Sequence, residues 1–253
     1  MKGIEQRLKQ AIRHFWRTRD RQNQTQGAKT GRRDTGARSA VTGGKHLDGF
    51  VELCRDILID AGLPQVDVHW SSKLQLPGYF RAEKKWDLLA VVDDQLLAVV
   101  EFKAHVGPSF GNNVNNRAEE AIGNATDLWA AYREGAYKPS ARPWLGYMFI
   151  LEDCPESNSP VDVREPHFGV FPEFRSTSYR KRYESLLTKL VRERLYDAAC
   201  LLLTPRDQGR NGKYRVASKE LSFAGFVAGL AGKAVAYSKS RAAPKRPKSN
   251  KKR

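Results

Sequence analysis

The sequence predicts an α/β fold in which a mixed central sheet is flanked by helices, and three observations predict it. Two apolar runs of strand length, 86–92 and 96–103, adjoin in WDLLAVVDDQLLAVVEFK. A third apolar run spans 144–152. Between them, about 116–134 carries apolar residues at helical spacing. The order helix, strand, hairpin, helix, strand belongs to a sheet covered by helices. At 253 residues the chain suffices for one sizeable domain with appendages.

The elements follow in order. Residues 3–17 place Ile4, Leu8, Ala11, Ile12, Phe15 and Trp16 on one helical face. Residues 18–46, rich in Arg, Gln, Gly and Thr with almost no apolar content, read as a mobile arm or as a loop that orders on DNA. Residues 47–62 form a helix with Leu47, Phe50, Val51, Cys54, Ile57 and Leu58 inward, ending at Gly62. VDVHW, 66–70, is a short strand, and the hairpin follows. A Gly/Asn/Ser loop spans 107–116. The helix at 116–134 buries Ala118, Ile122, Ala125, Leu128 and Trp129. Residues 154–176, with four prolines, are loop; 177–195 is a charged helix. A buried strand or helix at 197–203, a short hairpin strand near 213–217 and a helix 219–236 capped by Ser218 complete the chain. There is no internal repeat.

The net charge of +16 is unevenly spread. Residues 1–46 hold 12 Lys/Arg against 3 Asp/Glu, and 238–253 hold 8 Lys/Arg and no acid, whereas 47–237 is near neutral. This divides the chain into a basic N-terminal helix and arm (1–46), a core (47–237) and a disordered basic tail (238–253). Basic ends suit a polyanion; a solubility tail is the plainer reading. No run approaches the roughly 18 apolar residues of a membrane helix, and MKGIEQRLKQ has no apolar signal region. Cys54, Cys154 and Cys200 lack zinc or disulfide spacing and read as reduced thiols. A cytoplasmic protein is expected.

The chemistry concentrates at the ends of the hairpin. Asp87 precedes one apolar run, and Glu101-Phe102-Lys103 closes the other. If Asp93-Asp94-Gln95 is a three-residue turn, Val92 pairs with Leu96 and, counting back, Asp87 lies opposite Glu101. Lys103 then shares the face of Glu101. A two-residue turn would change the parity and separate the carboxylates. Like charges opposed on a sheet repel unless a divalent cation such as Mg²⁺ joins them. Two carboxylates and a lysine so placed are a kit for metal-dependent phosphodiester hydrolysis. Solvated strand ends are the bland alternative, since acid-x-lysine is common on strands.

Longer runs add a resemblance. GARSAVTGGKHLDGFVEL (36–53), KKWDLLAVVDDQLLAVVEFKAHVGPSFGNNVNNRAEEAIGNATDLWAAYREGAY (84–137), LGYMFILEDCPESNSPVDVREPHFGVFPEF (145–174) and KLVRERLYDAA (189–199) resemble the XhoI-type restriction endonucleases of the PD-(D/E)XK nuclease superfamily. The likeness covers most of residues 10–200. It implies a restriction-endonuclease-like fold and a homodimeric type II enzyme that cuts double-stranded DNA at CTCGAG with Mg²⁺, leaving four-base 5′ overhangs. A cognate methyltransferase would protect the host's copies of the site without needing to bind this chain. The superfamily's two acids fall on Asp87 and Glu101 and its lysine on Lys103. Its usual proline before the first acid is Trp86 here.

Further residues are candidates. Superfamily members often bring another carboxylate from the helix before the sheet, which points to Glu52; an exposed acid on an amphipathic helix is the alternative. Arg38, Ser39 and Lys45 lie in a glycine-rich stretch able to approach a phosphate chain, or in a flexible loop. It is not a Walker A loop. Asn112, Asn113, Asn115, Asn116 and Arg117 follow the catalytic strand; Asn can pair with adenine and Arg with guanine, although asparagines also serve turns. His105 reads as a solvated strand end. Two rivals share parts of this evidence: a structure-guided or repair nuclease of the same fold, and a non-enzymatic basic DNA-binding protein.

Overall fold

The computed structural model describes residues 3–30 and 45–242. Helix α1 runs Ile4–Thr30 and α2 Asp48–Asp60. Strand β1 (Val68–His69) is followed by a small hairpin, β2 (Gln75–Pro77) and β3 (Glu83–Lys85), then by β4 (Leu88–Val92) and β5 (Gln95–His105). Helix α3 (Gly111–Arg133) leads to β6 (Trp144–Glu152), and α4 (Pro155–Asn158), β7 (Pro160–Val161), β8 (Thr177–Ser178) and α5 (Tyr179–Arg192) lead to β9 (Ala198–Thr204). Then come α6 (Arg206–Gly209), β10 (Arg215–Val216) and α7 (Phe223–Ala242).

The central sheet has the order β1-β4-β5-β6-β9-β10. Its core strands β5, β6 and β9 are parallel, and the outer pairings are antiparallel. This is the mixed, helix-flanked sheet of the restriction-endonuclease-like fold. Strand alternation divides the core in two. Leu88, Ala90, Val100, Phe102, Met148 and Ile150 face α1, α2 and α7. Leu89, Val99, Tyr147, Phe149 and Leu151 face α3 and α5. Helix α1 joins the first cluster through Leu8, Ile12, Phe15 and Trp16.

Several boundaries differ from those the sequence predicts. Helix α1 continues past residue 17 to Thr30, and its continuation is held by buried Arg19 and by the pairing of Asp20 with Arg206 and Arg210. Residues 238–242, expected in the tail, are the last turn of α7, where Ser238 Oγ donates to the Gly62 carbonyl at 3.1 Å. Residues 111–117, expected mainly as loop, are the first turns of α3. The last helix begins at Phe223, and Ser222 Oγ accepts its Gly225 N–H at 3.2 Å. Ser218 instead closes a preceding turn by accepting from Leu221 N–H.

The hairpin β2–β3 is not predicted from the sequence, since strands of three residues carry no legible alternation. Its tip is held by α3. The Tyr79 and Phe80 N–H groups each donate to Asp127 Oδ1 at 2.8 Å, and Arg81 Nε donates to Oδ2 at 2.8 Å. Gly78 is required by close approach: a Cβ there would stand 2.5 Å from Asp127 Oδ2. This grip sets the phase of α3. Asn124 and Asp127 are buried, while Ile122, expected inward, is 46% exposed.

Candidate active site

The turn between β4 and β5 has two residues, not three. Asp93 and Asp94 occupy it with φ of 50° and 60°, the left-handed region that a tight hairpin turn demands. Val92 pairs with Gln95 and Val91 with Leu96. That register would have separated the carboxylates. A β-bulge corrects it, because the next pair is Ala90 with Ala98. The extra residue is Leu97, which buries beside Ala98 in the same cluster, as the two residues of a bulge do. Leu89 then pairs with Val99 and Leu88 with Val100. Continuing that register by one step sets Asp87 opposite Glu101, reached by a shorter turn plus a bulge, and the Glu101 charge acts on the Asp87 carboxyl.

Asp87, Glu101 and Lys103 share the face of Leu89 and Val99, under α3 and α5. Asp87 Oδ2 accepts a hydrogen bond from Phe102 N–H at 2.8 Å. Glu101 is 1% exposed. Lys103 Nζ donates to its Oε1, and Lys84 Nζ, from β3, donates to its Oε2 at 3.0 Å. Burial and then the neighbouring Glu101 charge push the Asp87 carboxyl up to about 6. Burial works to lower the Lys103 ammonium, but the Glu101 and Asp87 carboxylates outweigh it and raise it.

The surroundings are polar. Arg117 and Glu120, on α3, form an ion pair, and the Glu120 charge reaches Lys103. His105 is buried, contrary to the solvated strand end expected. One ring nitrogen stands 2.7 Å from Tyr183 Oη and the other 2.8 Å from the Ser109 carbonyl. The ring thereby fixes the segment between β5 and α3. Tyr147, paired with Glu101 across the sheet, has a buried hydroxyl with no hydrogen-bond partner among the described residues.

The other candidates scatter. Glu52 is exposed on α2, beside Arg7, His14 and Asp56. The buried residues of α2 pack on the opposite face of the sheet from Asp87 and Glu101, so the structure does not bring Glu52 to the pair. Lys45 is exposed, and its carbonyl accepts from the His14 ring at 2.9 Å. Arg38 and Ser39 lie outside the described residues. Asn112 sits in the first turn of α3. Asn113 Nδ2 donates to the Ser109 carbonyl at 3.1 Å, whereas Asn115 and Asn116 are exposed. Sequence reasoning missed Lys84, Glu120 and Tyr147. Their proximity depends on the small hairpin, the phase of α3 and the parallel pairing of β5 with β6.

Among the described residues, no three His, Cys, Asp or Glu side chains converge as a metal cage. A divalent cation here would rest on Asp87 and Glu101, with water and phosphate oxygens completing its shell. That hard-oxygen donor set fits Mg²⁺.

Comparison with known proteins defines the class. The chain is 52% identical over 203 residues to the type II restriction enzyme BstVI of Geobacillus stearothermophilus, covering 78% of this chain and 91% of that protein. It is 48% identical over 158 residues to the type II restriction enzyme XhoI of Xanthomonas vasicola, covering 62% and 64%. With the type II restriction enzyme AbrI of Azospirillum brasilense it shares 47% over 165 residues, covering 65% and 73%. These relatives, on a helix-flanked mixed sheet, define a type II restriction endonuclease, a site-specific deoxyribonuclease. The model of the restriction endonuclease XhoI family matches residues 26–216, and the chain belongs to that family. No solved structure matches it. Among the described residues no helix is long and apolar enough to cross a membrane.

Proposed function

We propose that this chain cuts both strands of duplex DNA at the palindrome CTCGAG, with Mg²⁺, leaving four-base 5′ overhangs. The observation that carries the reading is the opposition of Asp87 and Glu101 beside Lys103, restored by the bulge at Leu97. Asp87 and Glu101 would hold the cation. The bound cation would neutralise charge on the scissile phosphate and lower the pKa of an attacking water. Glu101, fixed by two ammonium groups, offers its carboxylate in one orientation. Lys103 acts as a point charge that positions the water or stabilises the pentacovalent transition state.

The first turns of α3 leave the same end of the sheet. Asn115, Asn116 and Arg117 there, with Asn112 and Asn113, form the base-reading or phosphate-contacting surface. Lys45 and the basic residues around Arg38 and Ser39 contact the backbone, as do the ends 1–46 and 238–253 outside the core 47–237. One site of this kind cuts one strand, so a palindromic double-strand break is met by a homodimer on a two-fold axis. The enzyme would act in the cytoplasm, with a cognate methyltransferase marking the host's own sites.

The test is digestion of two plasmids, one with a single CTCGAG and one without, under Mg²⁺ and under a chelator. Linear product from the first plasmid alone, and only with Mg²⁺, supports the reading. Metal-dependent nicking of both leaves the repair-nuclease alternative. Binding without cleavage leaves the DNA-binding module.

A further inference from the structure

Lys84 lies outside the Asp87–Glu101–Lys103 motif, on a hairpin whose strands the sequence does not announce. Its ammonium stands 3.0 Å from Glu101 Oε2, and the side chain is only 13% exposed. Two further contacts fix it. The nitrogen sits 4.4 Å from the centroid of the Trp86 ring, and it donates to the Lys85 carbonyl at 3.2 Å. Trp86 is itself 2% exposed, and its backbone N–H donates to the Leu74 carbonyl at 2.9 Å. The ring is therefore a firm platform for the lysine stem.

Holding a lysine this still costs side-chain entropy and hydration. The compensating partner is the Glu101 carboxylate. Lys103 occupies Oε1 and Lys84 occupies Oε2, so both oxygens of the buried acid are engaged by cations. Two carboxylates face two ammonium groups, so the charges of these side chains balance. A divalent cation bound by Glu101 needs one of these oxygens. A unit charge about 3 Å from that oxygen opposes the cation's arrival.

We infer that Lys84 is a positioning residue for Glu101: it holds Oε2 while the site lacks metal and surrenders that oxygen to the incoming divalent cation. It thereby sets the metal concentration at which the site fills. The inference rests on the metal-binding reading above and adds a residue and a regulation to it.

The experiment uses the full chain and Lys84→Met, which keeps an unbranched stem over Trp86 and removes the charge. Calorimetric titration with Mg²⁺ should give binding about three- to tenfold tighter in Lys84→Met than in wild type. Lys84→Arg should remain near wild type. In chelator the Met variant should melt below wild type, and saturating Mg²⁺ should recover more of its melting temperature than it adds to wild type. Unchanged or weaker Mg²⁺ binding, with the same melting deficit in chelator and in Mg²⁺, would make Lys84 a packing residue and overturn the inference. Glu101→Gln serves as the control. If wild type binds no Mg²⁺, or binds it as Glu101→Gln does, the metal reading fails first and this inference falls with it.

Discussion

Asp87 Oδ2 accepts the N–H of Phe102, the residue between Glu101 and Lys103, at 2.8 Å. One short hydrogen bond thus ties the first acid to the strand that carries the second acid and the lysine. The carboxylate bridges the last rung of the β4–β5 ladder, and its position depends on the register of the whole hairpin.

The grip of Asp127 on the β2–β3 tip should be a stability determinant. Asp127 is 5% exposed and accepts three hydrogen bonds, one from an arginine. Asp127→Ala should cost about 2–4 kcal/mol in urea unfolding, because it strands two backbone donors and a guanidinium. Phe80→Ser, at a side chain 71% exposed, should change stability by less than about 0.5 kcal/mol. Equal effects of the two substitutions would refute the role of the grip.

Stability should fall between pH 6.5 and 4. Burial lowers His46 to about 4, with the Arg19 and His14 charges adding to it. Burial likewise lowers His105 to about 4, against the hydrogen bond to Ser109 and with help from Arg117 and Arg19. Below 6.5 the unfolded chain takes up protons at both positions while the folded protein does not, so stability is lost as pH falls through this window. Asp87 works the other way. Its folded value of about 6 lies above 3.8, so its contribution grows as pH falls and offsets part of the loss. Melting temperatures in chelator should therefore decline from pH 7 to 4.5, and His46→Gln should shallow the decline. A wild-type profile that is flat or rising toward low pH would contradict this.

Much of this architecture is legible in the sequence. The apolar runs of β4, β5 and β6 are long and Val/Leu-rich, and the periodicity of α1 and α2 names their buried faces. The register is harder. A bulge at Leu97 leaves no mark in a run that is apolar throughout, so the opposition of Asp87 and Glu101 is anticipated through the wrong turn. Strands β2 and β3 are invisible at three residues each, and Lys84 with them. The inward face of α3 is legible at Ala125, Leu128 and Trp129 but misjudged at Ile122, because Asn124 and Asp127 are buried for hydrogen bonding, which hydrophobic periodicity cannot register. Glu52 is a candidate only by analogy with a superfamily pattern, and strand alternation puts its helix on the other face.

The polar residues at the start of α3 should carry specificity. Asn115→Ala and Arg117→Ala should each reduce specific cleavage by roughly 1–3 kcal/mol in transition-state terms while leaving non-specific binding nearly unchanged. Competition of a CTCGAG duplex against a scrambled duplex measures the ratio. Equal loss on both duplexes would reassign these side chains to backbone contact.

The basic C-terminal segment should act without reading sequence. Removing 243–253 deletes six Lys/Arg and spares α7. Binding should weaken alike on all duplexes, and the slope of log K against log salt should shallow by about 0.9 for each phosphate that the segment had neutralised. A changed cleavage site in the truncated protein would show that the segment reads bases.

Asp87 and Glu101, opposed across the hairpin, should form with Lys103 the centre that cuts DNA. The most direct measurement follows binding and cleavage of one CTCGAG duplex together, for wild type, Asp87→Asn and Glu101→Gln, in Mg²⁺. Both variants should bind the duplex as well as wild type or more tightly, since a negative charge facing phosphate is removed. Both should cut it at least about a thousandfold more slowly. Either variant cutting at near the wild-type rate while folded and bound would contradict the account.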